Sequence, residues 1–249
     1  MIFYFSATGN SKHAAKNIAE KTEDKTISIT DCLKSGKFDF TAKPNENIGF
    51  ISPVYSSGLP ITVIDFIQNL NIKTNNNYIF TLVTFGSFTG GASHMMKNML
   101  KEKGLKVNAQ YSVRMPDTWT PVFDLTDREK NAKINLKADN KLCLTIRKIK
   151  HKTKGNYDLR RFPFYNVLYK DYDAIRYTSS LSVDEGCTGC GICVNLCPVK
   201  AIEIKNGKPV RVKEKCAMCL GCLHHCPQFA IQRGNKTKSH GQYVHKETD

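Results

Sequence analysis

Two copies of one cysteine spacing constrain this chain more than anything else in it. The first is Cys187-x₂-Cys190-x₂-Cys193-x₃-Cys197-Pro198; the second, twenty-nine positions on, is Cys216-x₂-Cys219-x₂-Cys222-x₃-Cys226-Pro227. Soft thiolate donors select iron–sulfur clusters, zinc or Cu(I) over hard cations. The run C-x₂-C-x₂-C-x₃-C-P is a bacterial [4Fe–4S] ligand pattern, in which three thiolates hold one cluster and the fourth crosses to another.

The duplication extends past cysteine. A shift of twenty-nine superimposes Val183 on Val212, Glu185 on Glu214, Ala201 on Ala230 and Ile202 on Ile231. Such a repeat reads as two pseudo-symmetric units. The spacing then predicts Cys187, Cys190, Cys193 and Cys226 around one [4Fe–4S] cluster, and Cys216, Cys219, Cys222 and Cys197 around a second. Each proline closes a ligand turn, having no N–H with which to extend a helix. Structural zinc more often shows paired C-x₂-C, and a disulfide framework belongs to small secreted domains. The C-x₃-C-x₂-C run of radical-SAM enzymes is absent.

Eight of the ten cysteines fall within residues 187–226, so composition changes near residue 180. The expected division is a domain over 1–150, a connector over 151–180, a cysteine-rich domain over 181–234 and a polar, disordered tail over 235–249. The strand-like run Ile2-Phe3-Tyr4-Phe5 follows Met1 with no basic segment ahead of it, and no apolar stretch reaches membrane-spanning length. Clustered thiolates need reducing conditions. The expectation is a soluble cytoplasmic protein, of an anaerobe where its clusters are exposed to solvent. The formal charge of +15 counts cysteines as neutral. Two [4Fe–4S]²⁺ cores with eight thiolates bring about −4, so the loaded chain stays basic.

In the N-terminal half, the first strand runs into Ser6-Ala7-Thr8-Gly9-Asn10-Ser11 and then a helix-like stretch from Lys12 to Lys21. A strand, a hydroxyl-rich turn and a helix start offer N–H groups and a positive helix end to a phosphate. A plain capped turn is the alternative. Neither the Walker spacing nor G-x-G-x-x-G is present. Strand-like runs at 26–29, 47–52, 78–85 and 105–115 alternate with helical spacing at 61–70 and 91–103. That alternation argues for an α/β fold with a doubly wound, mainly parallel sheet. Three loops then lie at the carboxyl ends of strands, where such sheets bind ligands: 6–11, 53–58 and 84–91.

The first loop resembles the FMN-phosphate loop of flavodoxins, [TS]-x-T-G-N-[ST], and the other two match the order of the loops that flank the flavin ring. With the cysteine repeats, the whole chain is similar to the flavodoxin–ferredoxin fusion proteins of anaerobic bacteria and archaea. The resemblance implies a flavodoxin-like domain binding FMN, followed by a small α+β bacterial 2[4Fe–4S] ferredoxin-like domain. It implies that Ser6, Thr8, Gly9, Asn10 and Ser11 hold the phosphate, that Pro53 and Tyr55 edge the ring, and that Thr84, Phe85 and Gly86 line its other side. The third loop lacks the acidic residue that many flavodoxins place near the flavin. Trp119, the only Trp, follows the last strand and is either a lid or packing. Cys32 and Cys143 read as small buried hydrophobes, and His13, His94, His224 and His225 as surface or internally satisfied groups.

Residues 127–150 keep Ile134, Ala138, Leu142, Thr145 and Ile149 near one helical face. Residues 127–180 carry fourteen Lys/Arg against six Asp/Glu, and their end interleaves cations and aromatics: Arg160-Arg161-Phe162-Pro163-Phe164-Tyr165, then Tyr169, Tyr172 and Tyr177. Single-stranded nucleic acid or a membrane surface could use that pattern. The plainer reading pins one module on the other with the aromatics and steers an acidic redox partner with the charges. No DNA or RNA is expected. The leading expectation is an electron-transfer protein relaying electrons between two [4Fe–4S] clusters, FMN and a redox partner. The alternative is a ferredoxin-dependent flavin reductase acting on a small molecule at Tyr55 and Trp119. No conventional acid–base or nucleophile set stands out.

Overall fold

The computed structural model describes residues 1–158 and 165–246, with the side chains of Tyr165 and Asn166 left aside. Its first half is built on β1 (Ile2–Tyr4), α1 (Asn10–Thr22), β2 (Thr26–Ser28), α2 (Ile29–Ser35), β3 (Asp39–Thr41), β4 (Ile48–Pro53), α3 (Ile61–Asn69), β5 (Asn71–Lys73), β6 (Ile79–Phe85), α4 (Ala92–Glu102), β7 (Ala109–Arg114), α5 (Arg128–Lys150) and β8 (Gly155–Tyr157). Six strands form one sheet in the order β2-β1-β4-β6-β7-β8, every pair parallel. β6 is buried along its whole length, as its unbroken apolar run requires in a sheet covered on both faces.

Side chains alternate between the two layers. Phe3, Phe50 and Val83 pack with Val63, Phe66, Ile67, Met96 and Leu100 on one face. Ile2, Ile51 and Leu82 pack with Ala15, Ile18, Ala138, Leu142 and Ile149 on the other. Burying each large apolar side chain contributes about 1.5–3 kcal/mol, so this alternation fixes register: a one-residue slip would exchange the faces. Strand order reverses around β1, which lies between β2 and β4, and the loops after β1, β4, β6 and β7 open at that end.

The second half comprises α6 (Tyr165–Ile175), β9 (Leu181–Val183), α7 (Ile192–Leu196), β10 (Ile202–Lys205), β11 (Lys208–Arg211), α8 (Gly221–His224), β12 (Ile231–Arg233) and α9 (Thr237–His240). The cysteine repeats are interleaved. β9 pairs antiparallel with β12, and β10 with β11, so each two-stranded ladder takes one strand from each copy. Among the described residues no helix is long and apolar enough to cross a membrane.

Four expectations need correction. The edge strand β8 was not anticipated; it is held by Tyr157 stacking on Tyr111 at 5.3 Å. The last strand is shorter than 105–115. Cys143 is exposed rather than buried, although Cys32 is buried. Of the tail over 235–249, expected to be disordered, the described residues 235–246 include α9 and hydrogen bonds to the rest of the chain. Polar groups rather than apolar ones hold it: the Leu125 N–H donates to the His240 carbonyl, and Gln242 Nε2 donates to the carbonyls of Leu223 and Cys226. Of the basic–aromatic run, Arg160, Arg161, Phe162, Pro163 and Phe164 lie outside the described residues.

Candidate flavin cavity and cysteine centres

The loops at the switch point enclose a cavity of about 590 Å³. Its lining includes Ser6, Thr8, Asn10, Ser11, Pro53, Tyr55, Thr84, Phe85 and Gly86, which is every residue expected at a flavin except Gly9. Gly9 sits at the N-cap of α1 with φ 91°, and no side chain caps the helix there. That left-handed φ suits glycine and few other residues. The first N–H groups of α1 therefore lack a side-chain acceptor at the loop that lines the cavity, which is how helices receive a phosphate. Three of the expected residues are otherwise engaged, in two hydrogen bonds. Ser11 Oγ and Thr84 Oγ1 bond each other at 2.8 Å, and the Asn10 amide donates to the Pro116 carbonyl at 3.1 Å. Both tie loops together rather than extending into the cavity as donors.

An acidic group is present, supplied by a loop that the sequence comparison did not point to. Asp117, after β7, lines the cavity and fills the space where a side chain on Gly86 would lie. It accepts from the Trp119 N–H at 3.2 Å. Burial pushes its carboxyl above the ordinary aspartate range, against the pull of that hydrogen bond. Its position, three residues past the end of β7 at the ligand end of the sheet, is the signal the sequence carries. Trp119 makes two contacts. It lines the cavity, and it packs on the cysteine-rich core with the Arg233 guanidinium 4.6 Å from its ring.

The connector closes the cavity's far wall. α6 contributes Leu168, Asp171, Tyr172 and Ile175. The Tyr169 ring lies where a Cβ on Gly58 would be, only 2.1 Å away, so the second loop admits only glycine there. Tyr172 is buried and its hydroxyl joins the modules: it accepts from the Ile61 N–H at 3.3 Å and donates to the Ala217 carbonyl at 2.9 Å. Burial raises the Tyr172 and Tyr55 phenols above their usual range, so both stay neutral.

The eight repeat cysteines sort into two cavities. Cys197, Cys216, Cys219 and Cys222 line one; Cys187, Cys190, Cys193 and Cys226 line the other. Those are the crossed sets that the spacing predicts. Among the described residues no three His, Cys, Asp or Glu close on a point as ligands of one metal ion would. Burial pushes the Cys222 thiol up to about 11 and raises Cys219 further. Thiols so disfavoured as anions ionise only when a metal takes the charge. Arg211 reaches toward the first cavity, its Nη1 4.0 Å from Cys222 Sγ, and its charge also acts on Cys193 and Cys216. Its Nε and Nη2 are buried without a partner among the described residues. An unpartnered guanidinium is costly, and the donor set fits a group that brings sulfur acceptors and negative charge.

Met218, Cys219 and Leu220 line both the first cysteine cavity and the flavin cavity. One thiolate position thus separates the two. The histidines are satisfied at this junction: His225 Nε2 donates to the Ala7 carbonyl at 3.0 Å and His224 Nε2 to that of Thr118 at 2.9 Å. The tail completes it, with the His245 N–H donating to the Thr8 carbonyl and the Tyr243 hydroxyl to Asn10 Oδ1.

Fold and site together define a flavodoxin-like α/β domain carrying a cysteine-rich dicluster module. The flavodoxin domain family model matches residues 1–141 and the 4Fe-4S dicluster domain model residues 181–243. The chain belongs to the flavodoxin domain family and has the architecture of the flavodoxin–ferredoxin fusions. Its first domain implies FMN and its second [4Fe–4S] binding, which makes it a flavin and iron–sulfur electron-transfer protein. Among curated proteins none matches. Solved structures give weaker likenesses. The Fusobacterium nucleatum flavodoxin bound to flavin mononucleotide is 17% identical over 61% of this chain and 97% of its own, at TM-score 0.41. The rubredoxin oxygen:oxidoreductase of Desulfovibrio gigas is 17% identical over 58% of this chain, at 0.35; the chain spans only 36% of it. A flavone reductase is 13% identical over 88% of this chain and 74% of its own, at 0.33.

Proposed function

We propose that the chain holds two [4Fe–4S] clusters and one FMN in a line and relays electrons along it to a redox partner protein in a reducing cytoplasm. Residues 1–150 supply the flavin domain, 151–180 the connector and 181–234 the clusters. Cys197, Cys216, Cys219 and Cys222 hold the cluster nearer the flavin; Cys187, Cys190, Cys193 and Cys226 hold the outer one. The observation that carries this reading is the shared wall at Cys219, which belongs to both cavities.

When bound, the clusters pass single electrons and the flavin stores two. The chain's own residues do the rest. The open start of α1 binds the phosphate, Tyr172 fixes the Cys216–Cys219 loop against the Tyr55 loop, and Trp119 with α6 keeps water from the junction. Asp117, whose carboxyl burial pushes above the ordinary aspartate range, offers a proton-binding group beside Gly86. That buried acid favours a second reading, reduction of a small molecule at the flavin.

Anaerobic loading followed by iron, sulfide and flavin analysis tests the proposal. About eight irons and one FMN per chain are expected. About four irons, or flavin that stays oxidised while the clusters are reduced, would overturn it. Substrate-dependent turnover lost in Asp117→Asn would replace the carrier by the reductase.

Arg211→Gln gives a further expected result. Losing a charge-assisted hydrogen bond of about 1.5–3 kcal/mol lowers the potential of the inner cluster by roughly 60–130 mV, since the reduced, more negative state loses most. Potentiometric titration followed by EPR reads it.

A further inference from the structure

A second concavity, of about 620 Å³, lies behind the flavin cavity, between the end of β7 and one face of α5. Lys130, Lys133, Lys137 and Lys141 recur along that face at helical spacing, and Arg114 stands opposite on β7. The two acids at its edge are already engaged. Glu129 pairs with Lys133, and Asp127 caps α5 by accepting from the Lys130 N–H. Lys130, Lys137, Lys141 and Arg114 have no ion-pair partner among the described residues. Asp117 and Asp124 act at longer range on Arg114 and Lys130, and Lys137 and Lys141 keep the hollow cationic, which draws in a polyanion.

The same hollow touches the redox centre. Phe85 lines both it and the flavin cavity. Arg114 Nε donates to the Gly86 carbonyl at 2.9 Å, so the cation cluster is bonded to the loop that lines the flavin cavity. A nucleotide fits poorly here. The aromatic that could stack on a base, Tyr157, has one face on Tyr111 and the Lys148 ammonium 3.9 Å over its ring. What remains is charge for carboxylates, with Ile134 and Phe85 as the apolar floor.

We infer that this groove is the docking site of a small acidic electron-carrier protein, which exchanges electrons with the flavin across Phe85. The inference rests on the flavin reading above and names its partner. Each encounter moves one electron: the reduced flavin loses one and the carrier's one-electron centre gains it. Two encounters return the flavin to its oxidised form, its protons passing to water. Opposite charges steer the encounter, so its rate should be strongly salt-dependent.

The test uses loaded, photoreduced protein and stopped-flow reoxidation of the flavin absorbance by two probes, an acidic [2Fe–2S] ferredoxin and a basic c-type cytochrome. The variant Lys130→Gln/Lys137→Gln/Lys141→Gln changes exposed or half-buried groups away from the flavin contacts. With the acidic probe, the wild-type rate should fall as salt rises from about 20 to about 200 mM. The variant should be slower by roughly tenfold or more at low salt and nearly salt-independent. The cytochrome rate should not fall. Equal rates for variant and wild type with the ferredoxin, or equal loss with both probes, would overturn the inference. So would loss in the variant of single-stranded oligonucleotide binding alone, which would make the groove a nucleic-acid surface. If no flavin is reduced at the outset, the flavin reading itself fails, and the two failures are told apart before mixing.

Discussion

Cys197→Ala is expected to destroy the cluster of the second cysteine run and spare that of the first, to which Cys197 belongs by sequence. In the structure this thiol lines the cavity of Cys216, Cys219 and Cys222, and its sulfur accepts from the Ala201 N–H at 3.2 Å. Cys226→Ala should do the converse, because Cys226 completes the cavity of Cys187, Cys190 and Cys193. In both variants iron falls from about eight to about four per chain. What separates them is the flavin. Removal of Cys197 takes away the cluster that Cys219 places against the flavin cavity, so the surviving outer cluster should reduce FMN far more slowly than in wild type. Removal of Cys226 leaves the inner cluster and its fast step to the flavin. Iron analysis, EPR and rapid-mixing absorbance check all three statements. If each variant lost the cluster of its own run, the crossed arrangement would be wrong.

Gly9→Val should produce the largest loss of flavin affinity of any single change in the first loop. At φ 91° a β-branched residue is strained by about 1–2 kcal/mol, and the turn relaxes by moving the start of α1. The N–H groups then no longer converge on one point. Each charge-assisted hydrogen bond to phosphate is worth about 1.5–3 kcal/mol, so losing two weakens FMN binding by roughly a hundredfold or more. Fluorescence titration of the apoflavodoxin site in cluster-loaded protein measures it, with iron content as the control. Unchanged affinity would mean that the phosphate lies elsewhere. Ser11→Ala should matter less, because its hydroxyl already serves Thr84.

These two expectations draw on what was legible in the sequence. Thiolate spacing is local chemistry, so the cysteines announced their grouping, and the two cavities sort them in the crossed sets. The unbroken apolar run of β6 announced a buried parallel strand. β8, by contrast, is Gly-Asn-Tyr, three residues with no apolar pattern, recruited by one ring stacked on Tyr111. Asp117 is not legible as a cavity residue because it follows β7, and only the fold brings that loop against Gly86 in the loop after β6. Gln242, Tyr243 and His245 looked like solvent-seeking residues. Gln242 bonds main-chain carbonyls of the second cysteine turn, whereas Tyr243 and His245 reach Asn10 and Thr8 more than two hundred positions away, and no periodicity encodes such contacts.

That closing segment has a consequence for how the holoprotein is assembled. The Tyr243 hydroxyl reaches an Asn10 that precedes it by 233 positions, and the His245 ring lies 4.0 Å from that of His13. The rim of the phosphate loop at Asn10 and His13 is therefore finished only once residues 243–245 have been made. In between, the chain must lay down both thiol-rich turns and fold them, because Gln242 anchors on the carbonyls of Leu223 and Cys226. The strap over the phosphate loop is thus fastened to the second cysteine turn, and the two modules share one closure.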